Sequence, residues 1–372
     1  MSQAVRVGVV GGGRVGVSFA RFLRSQTADA SLVGIVTSTP ERQKELSQQF
    51  EVPAYATVEQ MMGSATPPQM VAVVNANEDH APATIAALKC GAHVFCEKPM
   101  APTLAECRAM VEAERQSGRS LQIGFEYMHG TMTQRLRQLV AEGFFGQLLS
   151  LSVVDSRGHW ASDPPSTPIS KIWKLDRKRG GGIVFHCGIH QLDMIRCLLG
   201  PVEQVTAYRA PKNALSFYPA DVPDHLTLML KAASGAVCNF QIYHNRAPCF
   251  YRQSYAWSPD WRTVPGHQFD LSLVGTRGSC LVQIYQEKMA LFRFDLEQRD
   301  TVLERVEDFS PNHPNASHHD MHALLLAYIR NIAAGEGAVD PASGALQTMV
   351  LAFAAEHALD VPGQLVQTSQ FQ

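Results

Sequence analysis

An apolar run, Val5-Arg6-Val7-Gly8-Val9-Val10, leads directly into Gly11-Gly12-Gly13-Arg14-Val15-Gly16. A helical stretch, Val17 to Ser25, follows. Strand, G-x-G-x-x-G turn and helix in that order open a parallel α/β sheet built to hold a dinucleotide. Gly11 allows the tight turn, Gly13 lets the backbone approach a pyrophosphate, and Gly16 lets the helix pack close to the strand. The helix N-terminus then offers free N–H groups and the positive end of its dipole to the phosphates. The expected phosphate cradle is therefore Gly11, Gly13, Arg14, Val15 and Gly16.

Strand and helix signals keep alternating to about residue 124, the mark of a doubly wound parallel sheet. Strands are expected at Leu32 to Val36, Met70 to Val74, His93 to Cys96 and Leu121 to Gly124, for about six strands in all. Helices are expected at Glu41 to Phe50, at Ala81 to Cys90 and from Thr103 to about Ser117. Thr103 is placed to cap the last of these, with Glu106 at the capping-box position. Beyond residue 125 the rhythm changes. Helices are expected at Met132 to Glu142 and Ile183 to Leu199, and strands dominate to about residue 305. Short turns such as Ala233-Ser234-Gly235 point to an antiparallel sheet. Two helices, His318 to Ala334 and Ala342 to Asp360, end the pattern. The boundary is placed at 124/125, giving domains 1–124 and 125–372.

A chain of 372 residues with 45% hydrophobic and 18% charged content suits a globular protein of two domains. The net charge of −2 argues against nucleic acid as a partner. No apolar stretch is long enough to span a bilayer. The first residues show no charged-then-apolar signal pattern, so a cytoplasmic location is expected. The eight cysteines form no C-x-x-C pair and read as reduced packing residues.

Two constellations carry chemistry. Glu97-Lys98-Pro99 follows the fifth expected strand, and ligands of such sheets bind beyond the carboxyl ends of the strands. Lys98 reads either as a proton-transfer or hydroxyl-binding group or as a surface lysine held by Glu97. The second constellation is Gly180 to Asp193. His186 and His190 stand four apart on an expected helix, with Asp193 placed to orient the His190 ring. An imidazole near its ordinary pKa of ~6.5 is a natural general acid and base.

These motifs together resemble the glucose-fructose oxidoreductase / inositol dehydrogenase (Gfo/Idh/MocA) family. The resemblance rests on Gly11-x-Gly13-x-x-Gly16, Asn75-Ala76-Asn77 with His80-Ala81-Pro82, Glu97-Lys98-Pro99, and Gly124-Phe125. It extends through Gly181-Gly182…Gly188-x-His190-x-x-Asp193 and Gly275-Thr276-Arg277-Gly278-Ser279. It implies an N-terminal Rossmann domain with a doubly wound parallel sheet. A C-terminal α+β domain with a large open, mostly antiparallel sheet would follow, and that sheet often forms the oligomer interface, so a homodimer or homotetramer is expected. The implied activity is NAD(P)-dependent hydride transfer to or from a sugar, cyclitol or related polyhydroxy or carbonyl substrate. The same scaffold could also serve an NAD-dependent glycoside hydrolase or a non-catalytic NAD(P)-binding sensor.

By resemblance, Lys98 contacts nicotinamide and substrate, the peptide bond to Pro99 is cis, and His190 is the catalytic histidine. Asn75, Asn77, His80 and Glu97 join the cofactor side, while Tyr127 and Trp173 join the substrate side. Inositol-type members carry Asp four residues before the histidine; here that position is His186. His186 is therefore assigned to proton transfer or to a substrate hydroxyl.

An acidic residue commonly binds the adenosine ribose at the end of the second strand. Here that position, 21 residues past Gly16, is Thr37, followed by Ser38 and Thr39, with Arg42 a helical turn on. Hydroxyls and a guanidinium suit a 2′-phosphate, so NADP is favoured over NAD. Among the remaining histidines, His318 and His322 have i,i+4 ligand spacing, but a helix start capped by Ser317 explains that region better, and no metal is expected. Trp160, Trp257, Trp261 and Tyr243 read as cleft or packing aromatics. Substrate choice is assigned to the loops 157–173 and 245–266.

Overall fold

The computed structural model describes residues 4–156, 176–179, 181–211, 222–244, 268–309 and 320–372. By its contacts the chain forms two compact units. The first comprises Met1–Phe125, Lys178–Gly180 and Met321–Met349; the second comprises Glu126–Arg177, Gly181–Asp320 and Val350–Gln372.

The first unit runs β1 (Val5–Val10), α1 (Arg14–Ser25), β2 (Ala30–Val36), α2 (Pro40–Phe50), β3 (Ala54–Tyr55), α3 (Val58–Met62) and β4 (Met70–Val73). It continues with α4 (His80–Lys89), β5 (His93–Cys96), α5 (Leu104–Ser117) and β6 (Leu121–Ile123). The six strands form one sheet in the order β3-β2-β1-β4-β5-β6, and every pair is parallel. The order reverses between β1 and β4, and such a switch point opens a ligand crevice at the carboxyl ends of the strands. All four residues of β4 are buried, as a parallel strand covered on both faces requires. Helix ends follow their sequence signals. Thr103 Oγ1 accepts from the Glu106 N–H and donates to its carboxylate, and Gly118 closes α5 at φ 63°.

The chain then passes through α6 (Thr131–Ala141), β7 (Leu148–Ser156), α7 (Ile189–Leu199), β8 (Val202–Arg209), β9 (His225–Ala232) and β10 (Val237–Tyr243). It ends with β11 (Gln268–Gly275), β12 (Gly278–Gln283), β13 (Lys288–Asp295), β14 (Asp300–Asp308), α8 (Met321–Ala334), α9 (Ala342–Asp360) and β15 (Val366–Gln367). The second sheet has nine strands in the order β14-β13-β12-β11-β7-β10-β9-β8-β15. Among the described residues of this sheet, β7 and β10 pair in parallel and the other ladders are antiparallel. Burial alternates along β9 and β10: Leu226, Leu228, Phe240 and Ile242 are buried, while Met229 and Val237 are 45% and 43% exposed. That alternation marks a sheet with one packed face and one open face.

α8 returns to the first unit. Its Leu324, Leu325, Tyr328 and Ile329 join the core built on Val7, Phe19 and Phe95. Tyr328 is pinned there by a 2.7 Å bond from its hydroxyl to the Ser120 carbonyl.

The structure departs from the sequence reading at several elements, β3, β14 and the start of α7 among them. β3 has two residues, too few to leave a pattern. β14 is an almost wholly exposed edge strand, so it lacks the apolar alternation that betrays a strand. The helix expected from Ile183 opens as a π turn, Val184–Gly188, before α7 begins. Gly188 lies so close to β10 that a Cβ there would stand 2.8 Å from Ile242 Cδ1. π turns recur at functional sites.

Candidate active site

The glycine turn has the geometry its spacing promises. Gly11 sits at φ 130°, and a Cβ on it would meet the Val74 carbonyl oxygen at 2.8 Å. A Cβ on Gly16 would stand 1.9 Å from the Gly11 carbonyl oxygen. Gly13 differs: a Cβ there would meet nothing within 4 Å, so the backbone faces open space. Gly13 is also the N-cap of α1, with no side-chain cap and no acidic residue in the first turn. Beside it, Arg14 is exposed and Val15 half-buried. Uncapped N–H groups at an unobstructed helix start make an anion cradle, and the pyrophosphate of a dinucleotide fits it.

At the end of β2, Thr37 packs against this turn; its Oγ1 lies 2.5 Å from where a Cβ on Gly12 would be. Arg42 Nε donates to the Gly12 carbonyl at 2.9 Å, and its Nη1 lies 2.5 Å from Glu45 Oε1. The guanidinium thus tethers α2 to the glycine turn. Ser38 is exposed, and positions 37–39 carry no carboxylate.

The ends of β4 and β5 hold the next group. Asn75 Nδ2 donates to the Asp79 carbonyl and Asn77 Nδ2 to the Arg179 carbonyl, each at 3.4 Å. His80 is buried, and its Nδ1 donates to the Pro99 carbonyl at 2.8 Å, so it supports the Lys98 loop from beneath. Burial holds the His80 imidazole below its usual range, against the opposing pull of the Pro99 and Asn75 backbone. The Lys98–Pro99 peptide is cis. Glu97 is buried, accepts from the Lys98 N–H at 3.1 Å, and has its carboxyl pushed up by burial. Gly124 leaves it room: a Cβ there would come 3.2 Å from Glu97 Oε1. Lys98 itself is half-buried.

In the second unit, a 3₁₀ turn, Glu126–His129, precedes α6. α6 fixes the turn. Thr133 Oγ1 donates to the Gly130 carbonyl at 2.9 Å and also to that of Tyr127, and Gln134 Nε2 donates to the Met128 carbonyl at 2.6 Å. His190 meets this turn twice. Tyr127 stacks on its ring with centroids 4.3 Å apart and planes 9° apart. Glu126 Oε2 lies 3.4 Å from His190 Nδ1, with the side chains 1% and 3% exposed. The next residue, Gln191, anchors α7 to β7 through a 2.7 Å bond to Asp155 Oδ2. Asp193, expected beside the imidazole, accepts from Arg196 at 3.0 Å. His186 is half-buried on the π turn.

Glu126 belongs to none of the sequence motifs. Its one signal is position: it is an acidic residue directly after Gly124-Phe125, at the exit of the last parallel strand. Trp173, Trp160, Trp257, Trp261, Gly180, His313, His318, His319 and Ser317 lie outside the described residues, as do the loops 157–173 and 245–266. His322 stacks on Phe22 at 4.5 Å with Ser18 Oγ 3.3 Å from its Nε2, so it packs against α1. No group of three metal-ligating side chains occurs among the described residues, and none of their cysteines is in a disulfide.

Residues 5–125 match the family model described as "Oxidoreductase family, NAD-binding Rossmann fold". Residues 133–280 match the "GFO/IDH/MocA C-terminal domain". The chain belongs to the Gfo/Idh/MocA family. Among relatives of this Gfo/Idh/MocA protein, D-glucoside 3-dehydrogenase of Escherichia coli is 29% identical over 57% of the chain and 59% of the relative. Myo-inositol 2-dehydrogenase of Thermotoga maritima is 26% identical over 87% of the chain and 94% of the relative. The chain spans between half and three fifths of the first few curated relatives it matches. A levoglucosan dehydrogenase structure in complex with NADH shares the fold, with TM-score 0.78 and 19% identity over 98% of this chain and 99% of that one.

Proposed function

We propose that this protein is an NAD(P)-dependent oxidoreductase acting at a carbinol or carbonyl carbon of a sugar, cyclitol or related polyhydroxy compound. One pairing carries the reading. A Gfo/Idh/MocA chain keeps an open, uncapped glycine turn in one unit and a buried, carboxylate-flanked imidazole in the other. The two relatives described above bear the names of a glucoside and a cyclitol dehydrogenase, which supports this substrate class.

The N–H groups at Gly13 to Gly16 hold the pyrophosphate, and the ends of β4 and β5, with Asn75, Asn77 and Lys98, hold the nicotinamide side. His80 and Glu97 act from beneath that loop. When bound, the cofactor accepts or supplies the hydride. Oxidising a carbinol also releases a proton from its oxygen, and His190 takes it. Lys98 brings a positive charge to the reacting oxygen. His186 and Tyr127 contribute substrate contacts, as does Trp173. Thr37, Ser38 and Arg42 favour NADP: hydroxyls at this strand end do not repel a 2′-phosphate, and Arg42 is held at the turn. The open face of the second sheet, with Met229, Val237 and Leu281 exposed, suits a homodimer or homotetramer.

The test is a dehydrogenase screen of sugars and cyclitols with both cofactors, read at the reduced-nicotinamide absorbance. Substrate-dependent change with at least one polyhydroxy compound is expected. A folded, cofactor-bound protein inert across the panel would overturn the reading.

A further inference from the structure

We propose that Glu126 is the positioning carboxylate of His190: it holds the imidazole proton on Nδ1 and so makes the Nε2 lone pair the one that accepts the substrate proton. The role rests on the oxidoreductase reading above, but its geometry stands alone.

Glu126 is 1% exposed in a short turn whose Tyr127 and Met128 carbonyls accept from α6. Burying a carboxylate is costly unless charge and hydrogen bonds compensate it. Its Oε2 lies 3.4 Å from His190 Nδ1. That is an ion-pair distance slightly longer than a standard hydrogen bond, and catalytic hydrogen bonds often tighten once substrate is in place. On α7 the nearby acid, Asp193, is engaged by Arg196, and position 186 holds a second imidazole. Glu126 brings an acid to the ring from a different element, the exit of β6.

The chemical consequence follows from the tautomer. A carboxylate at Nδ1 accepts the Nδ1–H and leaves the Nε2 lone pair as the base. When Nε2 takes the hydroxyl proton of a carbinol, the positive imidazolium forms beside a negative carboxylate. In the reverse direction the same charge stabilises the acid before it gives the proton back. The stacked Tyr127 ring holds the plane of the imidazole.

Two measurements test this. In steady-state kinetics, Glu126→Gln lowers kcat about tenfold or more, with the cofactor KM nearly unchanged. Glu126→Asp retains more turnover than Glu126→Gln. In a His190→Ala background, Glu126→Gln costs nothing further, because the residue acts through the ring. A purely structural role would subtract activity in both backgrounds. The second readout needs no substrate. ¹⁵N NMR of the His190 imidazole shows the Nδ1–H tautomer in the native protein and a shift toward Nε2–H in Glu126→Met. Full turnover in Glu126→Gln when His190→Ala is inactive overturns the proposal and leaves the oxidoreductase reading standing. An unchanged tautomer in Glu126→Met also overturns it. Full turnover in His190→Ala overturns both.

Discussion

The Tyr127 ring lies face to face with the His190 imidazole, 4.3 Å between centroids and 9° between planes. Tyr127 leans in turn on Phe269 of β11 at 5.7 Å, so the stack is anchored in the second sheet. Aromatic pairs of this kind contribute about 0.5–1.5 kcal/mol beyond burial. Tyr127→Leu should therefore lower kcat between about twofold and tenfold, if the stack orients the ring for proton transfer. The check is steady-state kinetics alongside cofactor titration. Equal losses in kcat and cofactor affinity would place the effect elsewhere.

Gly16 is the tightest point of the glycine turn. A Cβ there would stand 1.9 Å from the Gly11 carbonyl oxygen, and the obstacle is backbone. Gly16→Ala must displace α1 from β1 and spoil the pyrophosphate cradle. Cofactor affinity should fall by about tenfold or more, equivalent to at least about 1.4 kcal/mol. Gly13→Ala meets open space in the free protein, so it should leave thermal stability nearly intact while still weakening the cofactor. Calorimetric titration and thermal melts of both variants separate these outcomes.

Much of the first unit could be read from residues because each signal was local. The glycine turn, the Thr103 cap and Gly91 at φ 86° each announce an element boundary. β3 escaped because a strand of two residues carries no period. β14 escaped because both of its faces are exposed. In the site, spacing marks His190 but not Glu126. It reaches the imidazole through a chain separation of 64 residues, a contact that only the fold creates. Asp193, three residues from His190 in the chain, accepts from Arg196.

Coenzyme choice should turn on Thr37. It packs against Gly12 where many dinucleotide-binding folds place an acid, and Arg42 is tethered to the same turn. Thr37→Asp should weaken NADP about tenfold or more by repulsion of the 2′-phosphate, while NAD binding holds or improves. Native protein that binds NAD at least as tightly as NADP, at equal ionic strength, would contradict the NADP preference.

His80 should make stability depend on pH. Burial depresses its pKa in the folded chain, so below about pH 6.5 the unfolded chain binds a proton that the folded chain resists. Its contribution is fully present above that pH and is lost as the pH falls. Melting temperatures taken from pH 8 to pH 5 should drop more steeply for the native protein than for His80→Asn. Parallel curves would remove His80 as a source of acid sensitivity.

The central claim is that a buried imidazole at position 190 carries the proton in a pyridine-nucleotide oxidation. The most direct measurement is His190→Ala, assayed for turnover on an active polyhydroxy substrate and titrated with cofactor in the same preparation. Loss of most turnover with cofactor affinity largely retained is the predicted result. Turnover equal to that of the native protein would contradict it.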